Sequence, residues 1–159
     1  MTSELKIVPY IANPDMRRAI IVDLDGTIAL HYNAVGEQLR GHFEYSKVSD
    51  DIPNYPVMDI VMALESANNW TLFISGREDS CREDTIEWLS RYGWGKGSYD
   101  LFMRKTGDHR PDYIIKYEIF DEHIREHYDI ACAVDDRNQV VKMWRSLGLT
   151  CLQVADGDF

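Results

Sequence analysis

The chain has 159 residues, which is the size of a single domain with one hydrophobic core. Hydrophobic residues make up 45%, and no apolar run approaches the roughly 20 residues that cross a membrane, so a membrane-spanning role is not expected. The formal net charge of −10 argues against wrapping a long stretch of nucleic acid, although gripping one terminal phosphate remains compatible with it.

Residues 1–18 carry two prolines and little periodicity, so we predict a loose lead-in before a single domain at 19–159. This start lacks the basic and apolar pattern of a secretory signal. The three cysteines, Cys81, Cys132 and Cys151, form no C-x-x-C pair, which argues against a disulfide framework or a zinc site. We therefore expect the protein in a reducing cytoplasm.

Short apolar runs alternate with amphipathic stretches along the rest of the chain. The runs, each typical of a buried parallel strand, lie at 19–22, 71–74, 100–103, 130–134 and 150–154. Helical patterns between them cover 56–69, 80–92, 111–128 and 137–147. This alternation predicts an α/β fold, a single doubly wound, Rossmann-like domain with a mostly parallel five-stranded sheet and at most a small cap or flap. In such sheets ligands bind at the carboxyl ends of the strands.

Two aspartates follow the first predicted strand, in the sequence Asp23-Leu24-Asp25-Gly26-Thr27. One carboxylate can attack while the other manages a proton, which suits group transfer. The glycine permits a sharp turn. An acidic turn is the plain alternative, but the position directly after an apolar strand favours a catalytic pair.

Two further motifs could bind an anion. Ser75, Gly76 and Arg77 follow the second predicted strand, and such a hydroxyl, small residue and guanidinium can hold phosphate oxygens, unless they form an ordinary turn with a solvent-facing arginine. Lys116 lies in the third predicted helix, one turn after Asp112. A lysine there could neutralise charge between a nucleophile and a phosphate, although this spacing is also that of a surface ion pair.

A second acidic pair, Asp135 and Asp136, ends the fourth predicted strand. Adjacent acids at a buried strand end repel each other unless a cation bridges them, and Mg²⁺ is the natural candidate. A helix cap formed by one of them is the alternative. Because all these motifs lie at strand ends or helix starts, we expect them to meet at one rim of the sheet.

The four motifs resemble those of the haloacid dehalogenase (HAD) superfamily, and more narrowly the C-terminal 3′-phosphatase domain of bacteriophage polynucleotide kinase/phosphatase. The likeness runs from about residue 19 to residue 159. It extends beyond the motif residues themselves, over Ser75–Glu78, Glu118–Ile124, Asp135–Arg145 and Gln153–Phe159.

The resemblance implies a role for each site residue. Asp23 would be the nucleophile that forms an aspartyl-phosphate, and Asp25 would protonate the leaving 3′-oxygen and then activate water. Mg²⁺ would bind Asp23, the backbone carbonyl of Asp25 and the acidic pair, with Asp136 as the direct ligand and Asp135 in support. The phosphate or substrate would be held by Ser75, Gly76, Arg77, Lys116, Arg40 and Asp112. The segment between Thr27 and Arg40 is longer than in the family pattern.

Only about thirty residues separate Thr27 from the helix predicted at Pro56, which is too few for a large lid. An open cleft would admit a polymer end. The segment also contains side chains that could stack a base and meet a phosphate, or that only pack a loop: Tyr32, Arg40, His42, Phe43, Tyr45 and Lys47.

The leading hypothesis is an Mg²⁺-dependent polynucleotide 3′-phosphatase that removes 3′-phosphate, and in one version 2′,3′-cyclic phosphate, from DNA or RNA ends in nucleic-acid repair. The alternative acts on a small phosphomonoester such as a nucleotide. A phospho-acceptor switch domain fits less well, because its acidic pair comes before the acceptor, whereas here the pair comes last. The chain has no ATP-binding motif G-x-x-x-x-G-K followed by Ser or Thr, so kinase activity is not expected. The resemblance leaves a homodimer open, and if a phage encodes the chain, the expected cytoplasm is that of its host.

Overall fold

Seven strands and four helices make up the fold in a computed structural model that describes residues 5–159. In chain order the strands are β1 (Arg17–Val22), β2 (Ala29–Leu30), β3 (Ile52–Pro53), β4 (Trp70–Glu78), β5 (Tyr99–Arg104), β6 (Tyr128–Asp135) and β7 (Cys151–Gln153). The helices are α1 (Tyr55–Ser66), α2 (Arg82–Arg91), α3 (Asp112–His123) and α4 (Asn138–Ser146), and short 3₁₀ helices cover Tyr45–Asp50 and Asp79–Cys81. Every predicted strand and helix is present near its predicted position.

Five of the strands form one sheet in the order β5–β4–β1–β6–β7, and every neighbouring pair is parallel. This confirms the predicted α/β, Rossmann-like domain. Because β1 lies in the centre, the residue that follows it sits between the carboxyl ends of β4 and β6. That edge is where the polar motifs were expected to meet.

Helices cover both faces of this sheet. Val61 of α1 and Trp88 of α2 pack in one apolar cluster with Val22, whereas Phe120 of α3 and Trp144 of α4 belong to the cluster on the other face. Burial on both faces explains why the strands are continuous apolar runs. In the described part of the chain, no helix has the length and apolar character that crossing a bilayer requires.

Helix α3 is shorter than predicted. The apolar pattern indicated a helix from 111 to 128, but α3 ends at His123. Ile124 has a non-helical φ of −120°, and its side chain is fully buried. Its apolar side chain therefore packs into the core from the loop after α3 and does not extend the helix. β6 then begins at Tyr128.

The segment before β1 is anchored although it forms no helix or strand up to residue 13. The Tyr10 hydroxyl donates to the carbonyl of Tyr128 at 2.8 Å and accepts from the N–H of Ile130 at 3.0 Å. Leu5 and Ile7 pack against the core beside α3. Leu5, Ile7 and Tyr10 of the predicted lead-in therefore contact the domain, and its residues 1–4 lie outside the described part.

Residues 29–53, which we call the flap, connect the β1 end of the sheet to α1. Within the flap, β2 and β3 pair antiparallel, with Ala29 opposite Pro53. The 3₁₀ helix Tyr45–Asp50 is anchored by Val48, which is fully buried. This is the small flap that the predicted fold class allowed.

Candidate active site

Three aspartates converge at the carboxyl ends of two adjacent strands. Asp23 follows β1 and Asp135 ends β6, in a register that pairs Val22 with Val134, and Asp136 comes next. All three are buried, and one carboxylate oxygen of each lies within 4.8 Å of the others. We call these three residues the acidic cluster.

Lys116 is the cation within the acidic cluster. Its Nζ lies 2.7 Å from Oδ1 of Asp23, 2.9 Å from Oδ2 of Asp135 and 3.5 Å from Asp112. Burial alone would lower the pKa of Lys116, but the carboxylates of Asp135 and Asp23 outweigh it and raise that pKa well above its usual value. One ammonium faces more carboxylates than it can neutralise, so negative charge remains in excess.

The carboxylate of Asp23 is held from two sides. Thr27 Oγ1 donates to Oδ2 at 2.9 Å, while Lys116 donates to Oδ1. Burial raises the pKa of Asp23 well above its usual value, Lys116 opposes this shift and Asp135 adds to it. Asp23 lines a cavity, so this carboxylate is both oriented and open to a ligand.

Asp135 and Asp136 have different surroundings. The carboxylate of Asp135 accepts hydrogen bonds from Lys116, from Nε1 of Trp144 at 3.3 Å and from the backbone N–H of Arg137 at 3.2 Å. Asp136 lines the cavity, and burial together with the neighbouring Asp135 raises the pKa of Asp136 to about 6. The Asp136 carboxylate is therefore accessible to a ligand, whereas the Asp135 carboxylate is held by hydrogen bonds and does not line the cavity.

Gly26 allows Asp136 to approach β1 closely. Its φ of +80° lies in the left-handed region, and a Cβ at this position would overlap the Asp136 carboxylate. The turn after the first strand therefore requires a glycine for both its backbone conformation and its space.

Asp25 belongs to a separate charge network. Its Oδ1 accepts from Nε and Nη2 of Arg77 at 2.8 and 2.6 Å and from Nη2 of Arg40 at 2.9 Å, and His31 Nε2 lies 3.1 Å away. Burial would raise the pKa of Asp25, but Arg77 and the His31 contact outweigh it and hold that pKa well below its usual range. Asp25 is ionised in this arrangement.

Asp51, in the flap, is a functional candidate that the sequence did not reveal. It accepts from Nε and Nη2 of Arg40 at 2.6 and 2.8 Å and from Nη2 of Arg77 at 2.6 Å. All three side chains are fully buried. Asp51 therefore ties the flap to β4 and fixes the two arginines that hold Asp25. No strand-end motif or spacing marks it in the sequence.

Ser75 and Arg77 are brought to the site but do not line its cavity. β4 continues through both residues to Glu78, although it was expected to end before Ser75. Alternation along the strand buries Ser75 and Arg77 and turns Gly76 towards the cavity. Ser75 Oγ accepts the backbone N–H of Arg77 at 3.1 Å, and the guanidinium holds Asp25 where a direct grip on phosphate was expected.

Asp112 and Gly76 meet at the cavity wall. A Cβ at position 76 would overlap the Asp112 carboxylate, so the glycine makes room for it. Arg104 donates to Asp112 at 3.2 Å and to the Gly76 carbonyl at 2.8 Å. Asp112 thereby joins Lys116 to β5 through an ion pair.

Among residues 5–159, two groups of side chains have metal-ligand spacing: the acidic cluster, and Asp25 with His31 and Asp51. In the second group, the guanidiniums of Arg40 and Arg77 already supply positive charge. In the described part of the chain the acidic cluster has one ammonium, that of Lys116, and its oxygen-only donor set suits a hard divalent cation such as Mg²⁺. It is therefore the candidate cation site.

The active-site cavity has a volume of about 450 Å³. Its lining combines charged groups and rings, including Asp23, Asp25, Asp112, Lys116, Asp136, His31, Tyr32, His42, Phe43, Tyr45 and Phe159. The His42 ring stacks on Phe159 with centroids 5.3 Å apart, whereas Phe43 is 81% exposed. Arg40 does not line the cavity, and its Nη2 contacts two residues that do, Asp25 at 2.9 Å and His31 at 2.8 Å. An oriented carboxylate, a cation site and a second carboxylate can together transfer a phosphoryl group.

Comparisons with known proteins agree with this chemistry. A family model described as the polynucleotide kinase PNKP phosphatase domain matches residues 17–159. A protein of Autographa californica nuclear polyhedrosis virus, named as a candidate bifunctional polynucleotide kinase/RNA ligase, is 35% identical over 132 residues, which are 82% of this chain and 18% of that protein.

Solved structures of Pnkp1/Rnl/Hen1 complexes, one of them described as an RNA repair complex, contain similar chains. Two such chains are 38% and 37% identical to this one, with a TM-score of 0.83 in both cases. The matches cover 99% and 100% of this chain but only 52% and 49% of theirs, so this chain spans about half their length. The chain is a phosphatase and belongs to the polynucleotide kinase PNKP phosphatase domain family of HAD-type enzymes.

Proposed function

We propose that this chain is an Mg²⁺-dependent polynucleotide 3′-phosphatase that acts on DNA or RNA ends in nucleic-acid repair. The observation that carries the proposal is the placement of Asp23, held by Lys116 and Thr27 beside Asp136 in an open cavity. The family assignment and the resemblance to chains of an RNA repair complex support the class of substrate.

The proposed reaction has two steps. A carboxylate oxygen of Asp23 attacks the phosphorus, the bond from phosphorus to the 3′-oxygen breaks, and Asp25 gives the leaving oxygen a proton. Asp25 then takes a proton from water, which attacks the aspartyl-phosphate and releases inorganic phosphate and free Asp23. Lys116, which lines the cavity, neutralises charge between the nucleophile and the phosphate.

The charge network suits Asp25 to the second step. Arg77 and Arg40 favour its ionised form, which is the form that accepts a proton from water. The first step needs the protonated form, so we expect substrate binding to draw Asp25 away from at least one guanidinium.

Mg²⁺ would be held by Asp23, Asp136 and the backbone carbonyl of Asp25, with Asp135 in support. The crowding of buried carboxylates around one ammonium fits such a cation, as the raised pKa of Asp136 indicates. When bound, it would neutralise charge on the phosphate oxygens.

The assay that tests the proposal compares phosphate release from 3′-phosphorylated DNA, 3′-phosphorylated RNA, a 2′,3′-cyclic phosphate end, a 5′-phosphorylated oligonucleotide and a mononucleotide. We expect rapid, repeated release from at least one 3′-phosphorylated polymer and little from the 5′-phosphorylated one. Faster turnover of the mononucleotide would favour the small-phosphomonoester alternative. Release from none of them would contradict the proposal.

A further inference from the structure

A second cavity, of about 580 Å³, adjoins the active-site cavity. Six residues line both, which places the two spaces side by side: Phe43, Tyr45, Arg104, Asp112, Arg137 and Phe159. The second cavity extends from this junction along the segment from Asp108 to Asp112, which leads into the first residue of α3. A ligand too long for the first cavity can therefore continue into the second.

The acidic groups of the second cavity are already engaged. Asp108 accepts from Arg110 at 2.8 Å, Asp112 accepts from Arg104 at 3.2 Å, and Glu78 accepts the Gly107 N–H at 3.2 Å. The three arginines and three carboxylates of the wall balance, whereas the whole chain carries −10. The lining of the second cavity is therefore not net acidic, although Arg110 also pairs with Glu118, which does not line it, and it repels a polyanion less than the net charge of the chain suggests.

Arg137 is a cation at the junction that has several free donors. Its Nε donates to the Phe159 carbonyl at 3.0 Å, and Nη1 lies 3.7 Å from Asp112, so both of its terminal nitrogens retain hydrogens for another acceptor. The side chain is 29% exposed and lies over the Phe159 ring at 4.9 Å. This fixes a guanidinium next to the reaction centre, where a phosphodiester would pass.

Phe43 supplies an aromatic surface at the same junction. Its ring is 81% exposed, makes an edge contact with Tyr45 at 6.4 Å, and lines both cavities. An exposed aromatic ring beside a cation is the usual platform on which a nucleobase stacks.

We infer that the second cavity binds the strand that precedes the terminal phosphate, with Arg137 on the adjoining phosphodiester and Phe43 stacked on a base. This inference rests on the proposed phosphatase function and adds a strand-binding site to it. The ligand is a single strand of DNA or RNA, since a phosphodiester and a base are present in both.

The test compares kcat/KM for a 3′-phosphorylated hexanucleotide with kcat/KM for a nucleoside 3′-monophosphate, for DNA and RNA. With one charged hydrogen bond and one stacked base, we expect the hexanucleotide to exceed the monophosphate by about a hundredfold. Arg137→Gln and Phe43→Ala should each lower this ratio about tenfold. The matched controls, Arg91→Gln and Val35→Ala, change an exposed arginine and an exposed flap residue outside both cavities and should leave it unchanged.

Salt dependence separates the two contacts. Loss of one phosphate contact should reduce the slope of log(kcat/KM) against log salt concentration by about 0.7 for a single-stranded substrate. We expect the smaller slope in Arg137→Gln and not in Phe43→Ala, because phenylalanine carries no charge. Phe43→Ala should also fold normally, because the ring is exposed.

Three results would overturn the inference. A ratio near one in the unmodified protein, with both substrates hydrolysed, would remove the strand site but leave the phosphatase. A large ratio that neither variant lowers would place the strand elsewhere. Absence of phosphate release from both substrates would remove the phosphatase proposal and the strand site together.

Discussion

At the scale of single residues, Gly26 sets the space between the turn after β1 and Asp136. In Gly26→Ala the added Cβ would displace the Asp136 carboxylate, and a displacement of about 1 Å can reduce turnover about a hundredfold. Gly36→Ala is the matched control, because Gly36 has a similar φ of +81° but open space around its Cα. Phosphate release measured for both variants should fall steeply only in Gly26→Ala, and an equal fall in both would contradict this role.

Asp51 is expected to stabilise the fold as well as the site. Asp51→Ala would leave Arg40 and Arg77 buried with one carboxylate fewer, and breaking such a buried network reduces the free energy of unfolding by about 3–5 kcal/mol. Glu87→Ala removes an exposed ion pair with Arg91 and should change it by less than about 1 kcal/mol. Urea unfolding measures both values, and similar small losses would show that the Asp51 network is not stabilising.

Among the elements, the segment before β1 gives a test that separates stability from catalysis. Tyr10→Phe removes one hydroxyl that bonds two backbone groups of the β6 region, and should reduce the free energy of unfolding by about 1–3 kcal/mol. Turnover should stay unchanged, because Tyr10 lies outside both cavities. Tyr55→Phe, at an exposed position, should stay within about 0.5 kcal/mol. An undiminished stability in Tyr10→Phe would mean that the segment is not held by this contact.

The sequence predicts regular elements well where one local pattern determines them. The five sheet strands and four helices follow from apolar runs and helical periodicity. The pairing of β2 with β3 was not predicted, since two-residue strands have no period to detect. The end of α3 was misplaced because Ile124, buried in a turn, carries the same apolar signal as a helical residue.

The site is predictable to the extent that strand topology brings residues together. The convergence of Asp23, Asp135 and Asp136 follows from motifs at strand ends. The resemblance implied Lys116 as a phosphate-binding residue, and the structure places its Nζ against Asp23 and Asp135. The direction of Arg77 depends on β4 continuing past Ser75, which an apolar run does not reveal. Asp51 depends on the path of the flap, which the local sequence does not determine.

At the scale of the whole molecule, the chain has a net charge of −10, and three of its carboxylates lie together in the acidic cluster. Mg²⁺ should therefore raise the melting temperature by binding the folded state only, and excess chelator should abolish phosphate release. In Asp136→Asn the shift in melting temperature should shrink, whereas Asp59→Asn, at an exposed position on α1, should keep it. Full activity in chelator, or equal shifts in all three proteins, would contradict a cation site at the acidic cluster.

The nucleophilic role of Asp23 is the claim on which the whole account depends. The most direct measurement uses Asp25→Asn with a ³²P-labelled aryl phosphate, whose leaving group needs no proton, so that the first step proceeds and the second is slowed. We predict that acid quenching traps ³²P on the peptide that contains Asp23. The Asp23→Asn variant should trap none and should lose turnover by at least about a thousandfold while remaining folded. Label on another residue, or near-normal turnover by Asp23→Asn, would contradict the account.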